Sequence, residues 1–241
     1  NEMLDQMEEL KQKEYQAKQL LNRAEYKALQ AQVNPHFLYN TLDTMASIAE
    51  IRNCPEVSHM SQSLALIFRY SLNMKNPFST VEHEIAHLKN YTYVMDMRMH
   101  DNIQYTFDVD ETTLKSKLPT LPRLSLQPIV ENAINHGLRN KRGKKKIGIQ
   151  IKRKQMDLVI CIEDNGIGMD TSAINESLSK NELDFVEKGN SIGLHNINAR
   201  LKMLYGNTYG MYLESTLGEG TKVFMILPDS GEDSSNEEKD I

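Results

Sequence analysis

About two thirds of the way along this 241-residue chain an apolar run ends on an aspartate followed by glycines two apart, Asp164-Asn165-Gly166-Ile167-Gly168. Glycines so placed let the backbone pass close under a planar group, and a carboxylate at a strand end can accept a hydrogen bond from an amine on that group. The segment therefore calls for a strand beneath it and a concave surface beside it. Two other segments fit such a surface. Glu131-Asn132-Ala133-Ile134-Asn135-His136 lies on a helical pattern upstream, and Gly189-Asn190-Ser191-Ile192-Gly193-Leu194 opens one downstream, where the free N–H groups of a helix start are ready phosphate ligands. Taken alone, D-x-G-x-G is equally a tight turn with a capping Asp, and Asn132 equally a buried capping amide.

Around these segments the pattern is mixed α/β. Residues 103–109 alternate as a strand, 124–138 read as a helix ended by Gly137, and 147–153 with 158–163 read as a strand pair. The basic run 141–146 between them is either a solvated loop or a phosphate-steering patch. A polar stretch at 169–190 precedes a helix at 192–204, and strands at 211–215 and 221–227 close as a hairpin across Leu217-Gly218-Glu219-Gly220. The acidic, Ser-rich residues 229–241 hold too little apolar content to fold.

The first thirty residues carry a heptad with Met7, Leu21 and Ala28 at one seam position, broken only by Glu14, and Met3, Leu10, Ala17, Ala24 and Ala31 at the other. A seam so narrow fits a parallel coiled coil better than a helix lying on its own domain. The same register continues through Pro35, Leu38, Leu42, Met45 and Ala49, which leaves His36 beside the seam and facing outward, with a kink expected at Pro35. Periodicity stops at Asn53-Cys54-Pro55-Glu56 and resumes with Met60, Leu64, Ile67, Ser71 and Met74. Two helices joined this way form a hairpin, and two hairpins form a four-helix bundle. A third helix through Ile85, Leu88, Tyr91, Val94 and Met95 is expected to start on a capping box of Ser79 and Glu82.

Composition narrows the function classes. A net charge of −5 leaves no basic footprint for nucleic acid, so no nucleic-acid partner is expected. The two cysteines, Cys54 and Cys161, have neither metal-ligand spacing nor a disulfide framework, which fits a reducing compartment. No apolar stretch approaches the ~20 residues that cross a bilayer. The chain opens in mid-helix and reads as an excised portion of something longer.

With Asn34-Pro35-His36-Phe37-Leu38-Tyr39-Asn40 added, the order and spacing of the four segments resembles the sensor histidine kinases of two-component systems, in their LytS/YesM-like branch, from about Leu29 to Pro228. The resemblance implies an α+β chain: a coiled-coil signalling helix at 1–32, a dimeric helical-hairpin phosphoacceptor domain at 33–98, a GHKL ATP-binding α/β sandwich at 99–228 and a disordered acidic tail at 229–241. It implies ATP and Mg²⁺ as cofactors, His36 as phosphoacceptor, Asp164 as reader of the adenine amine and Asn132 as the magnesium ligand. His136, Gly166, Gly168, Gly189, Gly193 and Leu194 would border the nucleotide. Asn40, one turn from His36, could orient the ring, or serve capping or packing. It further implies a homodimer, a response regulator whose Asp receives the phosphoryl group, and a bacterial plasma-membrane parent whose cytoplasmic portion this is. Three departures stand out: Asn135 replaces a frequent Lys, Ser191 replaces a glycine, and Phe37 stands where many relatives carry a carboxylate.

Gyrase-type relatives hydrolyse ATP with a Glu four residues before the magnesium Asn; here that position is Pro128. Glu131 is offset by one residue, about 100 degrees around a helix, and cannot simply substitute. A protein-supplied imidazole nucleophile is the better reading, since one ring nitrogen is a free lone pair at neutral pH. The alternatives are a degenerate kinase acting as a nucleotide-binding interaction module, and a chaperone- or topoisomerase-like ATPase.

Overall fold

The computed structural model describes residues 35–72, 76–99, 102–109, 118–180 and 192–229. The expected coiled coil, the kink before Pro35, Gly189 with the rest of the phosphate-loop start, and the tail beyond Asp229 lie outside the described residues.

Helices α1 (Pro35–Ile51) and α2 (Pro55–Leu72) form the hairpin, turning at Asn53, whose left-handed φ of 54° suits an asparagine. Pro55 sits at the first position of α2, where a missing N–H costs nothing. The inner faces are small: Ala46 and Ala49 of α1 and Ser58, Ser61, Ser63 and Ala65 of α2 are buried, so the helices can approach closely. Leu38 and Leu42 of the expected seam are half-buried and Ala49 is buried, whereas Met45 is exposed. A single protomer thus leaves part of the stripe uncovered.

A short strand β1 (Phe78–Thr80) leads into α3 (Val81–Met99), which packs along α2 and brings His59 and Tyr93 to a ring separation of 4.0 Å. The cap differs from expectation. Thr80 Oγ1 accepts the His83 N–H at 3.3 Å, while Ser79 Oγ lies 2.7 Å from the Tyr70 hydroxyl and so is engaged elsewhere. Ile85, Leu88, Val94 and Met95 are buried, as the periodicity of α3 requires.

The second half builds a five-stranded sheet from β2 (Gln104–Val109), β4 (Lys146–Lys154), β5 (Asp157–Asp164), β6 (Gly210–Thr216) and β7 (Gly220–Pro228), in the order β2-β4-β5-β7-β6. Only β2 and β4 are parallel; their crossover contains β3 (Thr120–Pro122), which pairs with β1. Ile149 and Ile151 pair with Ile162 and Ile160, and Ile147, Leu158, Met225 and Leu227 join them in the core. Each such side chain contributes about 1.5 to 3 kcal/mol by leaving water. The alternate residues form a mixed face, on which Lys152 bridges Asp108 at 3.1 Å, Lys222 bridges Glu163 at 3.4 Å and Tyr212 stacks on Phe224.

Helices α4 (Gln127–Asn132), α5 (Ser172–Lys180) and α6 (Ile192–Tyr205) cover the apolar face. The helix expected over 124–138 starts late, because Leu124 is left-handed at φ 57°, and it widens into a π-helical turn at Ala133–Gly137. Helix α5 occupies part of the stretch expected to be merely polar.

Candidate functional site

Where β5 ends against the π-turn, the carboxylate of Asp164 is turned inward and held by the Gly166 N–H at 2.7 Å and by the N–H of Thr221. The approach is possible because two neighbours lack side chains. A Cβ on Gly137 would sit 2.7 Å from Asp164 Oδ1, and one on Gly166 would sit 2.3 Å from the Gly137 carbonyl oxygen. Gly168 is left-handed, at φ 67°, and a Cβ there would run into the Thr216 carbonyl. The loop is pinned at both sides, by Ile167 N–H on Gly137 O at 3.0 Å and Gly218 N–H on Ile167 O at 2.7 Å. Burial raises the Asp164 pKa above the ordinary carboxylate value, partly offset by those two N–H donors and by the Lys141 charge.

Above this carboxylate opens a cleft of about 480 Å³. Asn132, His136, Asp164, Gly168 and Leu194 all line it, so five expected site residues from three separate segments meet in one place. Gly166 lies beside the cleft, under the carboxylate, and Gly193 lies at the start of α6, with its Cβ position 3.7 Å from Pro128 Cβ. The π-turn between Asn132 and His136 is of the kind that often marks functional sites in helices. Apolar walls come from Ile129, Ile162, Ile167, Leu213 and Val223. Apolar faces with one carboxylate at the base suit a planar ring bearing an amine. A more open groove of about 570 Å³ on the other side of the sheet end, lined by residues such as Gln104, Thr106, Glu163 and Lys222, has no comparable apolar walls.

Three polar contributors were not singled out from sequence. Thr221 could have been, since Gly218-Glu219-Gly220-Thr221 repeats the spaced-glycine signal but reads as an ordinary hairpin turn. Ser177 and His195, both buried, face each other at 2.7 Å across the cleft wall and carry no sequence signal.

The basic run is mostly loop, pinned where Asn165 accepts the Lys146 N–H at 2.9 Å and donates to Lys144 O at 3.0 Å. Pro128 faces the α6 start and offers no carboxylate. Glu131 is occupied away from the cleft, by Gln127 Nε2 at 2.7 Å and by the Tyr91 phenol. Among the described residues no group of His, Cys, Asp and Glu could hold a metal ion alone. The donor chemistry nevertheless fits Mg²⁺, because Asn132 supplies one neutral oxygen and nucleotide phosphates would supply others.

His36 and Asn40 stand apart from the cleft, on α1. His36 is exposed, and Asn40 Nδ2 lies 3.3 Å from its Nδ1 and 3.4 Å from its Nε2. No helix of the described residues is long and apolar enough to cross a membrane.

Known proteins resemble the chain along nearly its whole length. The family described as "Histidine kinase" matches residues 24–103, and the one described as "Histidine kinase-, DNA gyrase B-, and HSP90-like ATPase" matches residues 121–231. Sensor histidine kinase YesM of Bacillus subtilis is 33% identical over 94% of this chain and 37% of its own length. Sensor histidine kinase YpdA of Escherichia coli is 32% identical over 88% of this chain and 36% of its own, and sensor protein LytS of Oceanobacillus iheyensis 33% over 88% and 35%. The chain therefore spans little more than a third of these relatives.

Proposed function

The chain belongs to the sensor histidine kinases of two-component systems, and from that membership we propose that it is the ATP-dependent autokinase portion of a longer sensor, with His36 as phosphoacceptor. The observation that carries the reading is the cleft itself, which gathers Asn132, His136 and Asp164 around one cavity and, among the described residues, brings no carboxylate other than Asp164 to it. Asp164 accepts from the adenine amine, and the apolar walls hold the ring. Gly193 and the α6 N–H groups would take the phosphates, and the part given to Gly189 rests on its place in the sequence. Bound Mg²⁺, held by Asn132 together with the phosphates, would neutralise charge on the transferring group.

In the transfer, a ring nitrogen of neutral His36 donates its lone pair to the γ-phosphorus. The bond from that phosphorus to the bridging oxygen breaks, ADP leaves with the electron pair, and the imidazolium releases its other N–H proton to solvent. Such a reaction needs mainly in-line positioning, which explains how Phe37 can replace a carboxylate. Asn40 limits rotation of the ring.

The exposed apolar residues of the hairpin support a homodimer. Phe37, Met45, Ile48 and Ile51 of α1 are 51 to 79% exposed in the single chain, and a second hairpin would cover them in a four-helix bundle. The sequence domains at 1–32, 33–98, 99–228 and 229–241 follow from the same reading. A response regulator would receive the phosphoryl group, and a membrane-embedded parent would supply the signal.

Incubation with ATP labelled at the γ-phosphate tests this. The expected label stays with the protein, survives alkali and is lost in acid, as a phosphoramidate should be. Nucleotide binding without label would instead identify an interaction module, and free phosphate without label an ATPase.

A further inference from the structure

Outside the cleft, the least exposed carboxylate of α3 holds together parts of the molecule that the sequence keeps apart. Glu84 is 1% exposed, and a buried carboxylate must have its lone pairs filled. The N–H groups of Leu124, Ser125 and Leu126 donate to it at 2.8, 2.9 and 3.2 Å. Those three belong to the turn that starts α4, the helix carrying Asn132. The remaining donor is the phenol of Tyr70, which comes from α2 of the hairpin.

Tyr70 is itself clamped. Its ring stacks on His87 with centroids 4.4 Å apart, and the Arg123 guanidinium lies 4.0 Å over its centroid. Burial, then the Glu84 charge, push the phenol well above its ordinary range, so it remains a donor. Arg200, on the helix that Gly193 opens, donates to Arg123 O at 3.2 Å and Pro77 O at 3.5 Å. The same end of the hairpin carries the proposed phosphoacceptor. Tyr39, three residues after His36, donates to Phe68 O at 3.3 Å, so Tyr70 lies at the His36 end of the hairpin.

We propose that Tyr70 and Glu84 are positioning residues for phosphoryl transfer: Glu84, shared between the phenol of Tyr70 and the N–H groups at the start of α4, docks the nucleotide domain at the His36 end of the hairpin and sets the angle at which the cleft can meet a phosphoacceptor. The inference rests on the autokinase reading above. Transfer is sensitive to such an anchor, because a displacement of about 1 Å can cost about a hundredfold in rate. Nucleotide binding is not, because Glu84 keeps its three backbone donors whether or not the phenol is present.

Tyr70→Phe keeps the ring between His87 and Arg123 and removes only the hydroxyl. The affinity for a non-hydrolysable ATP analogue and the initial labelling rate at saturating ATP are measured for the wild type, Tyr70→Phe and Ser79→Ala, with a melting curve for each. The expected result is a labelling rate at least tenfold lower in Tyr70→Phe, with affinity within threefold and cooperative melting retained. Ser79→Ala, which spares the contact with Glu84, should label within threefold of wild type. A Tyr70→Phe rate within threefold of wild type, or above it, would overturn the inference, as would an affinity loss in step with the rate. A wild type that takes no label would remove the autokinase reading and the inference with it.

Discussion

Replacing Asp164 with asparagine should weaken adenine nucleotide binding and, at neutral pH, stabilise the empty protein. One carboxylate oxygen is fixed on the Gly166 N–H at 2.7 Å. If the asparagine oxygen keeps that bond, its amide nitrogen takes the place of the second oxygen and points a donor at the adenine amine, itself a donor. Losing a hydrogen bond to a charged group costs about 1.5 to 3 kcal/mol, a factor of about 10 to 150 in Kd. Guanine carries a carbonyl where adenine carries the amine, so GTP binding should suffer less and the preference between the two should narrow. The stability effect has the opposite sign. Burial raises the folded pKa of Asp164 above its ordinary value of 3.8, so the protonated form is the one that favours folding. Its contribution is present at lower pH and is lost as pH rises through the folded value. At pH 7 the ionised group opposes folding, and asparagine removes that opposition. Titration calorimetry with ATP and GTP analogues, and melting of both proteins at pH 4 and 7, test the two halves. Unchanged ATP affinity would refute the adenine role, and a melting difference between the two proteins that does not depend on pH would refute the burial argument.

Adjacent residues of α4 should behave differently. Asn132→Ala should lower Mg²⁺-dependent labelling by about tenfold or more, whereas Glu131→Gln, altering a side chain tied to Gln127 and Tyr91, should leave it within a few-fold; equal losses measured by initial rates would contradict the assignment. Ile48→Asp, at a position 55% exposed in the single chain, should shift a micromolar dimer toward monomer in sedimentation while the nucleotide affinity stays unchanged. A wild type that sediments as a monomer would count against the bundle.

The cleft was legible in sequence to the degree that its backbone leaves no choice. Gly166 and Gly168 lie where a Cβ would strike the Gly137 and Thr216 carbonyls, so the spaced-glycine signal and the geometry are the same fact. The sheet strands were legible for a similar reason, since Ile147, Ile149 and Ile151 alternate with polar residues on one face only. Helix α5 was not, because its apolar stripe is only Ile174 and Leu178, one turn apart within an otherwise polar segment. The three-residue pairing of β1 with β3 is too short to show a period, and the π-turn at Ala133–Gly137 adds width to a helix without changing its composition. Glu84 was the least legible residue. Its charge reads as a solvated helix position, and the N–H groups that satisfy it come from a turn 40 residues away.

The most direct test of the account is the His36→Gln variant, compared with wild type for nucleotide affinity and for label taken from the γ-phosphate of ATP. The cleft and His36 lie on separate elements, so the variant should bind ATP as wild type does and take no acid-labile label. Undiminished label in His36→Gln would contradict the central claim, because the phosphoryl group would then be going to a different side chain.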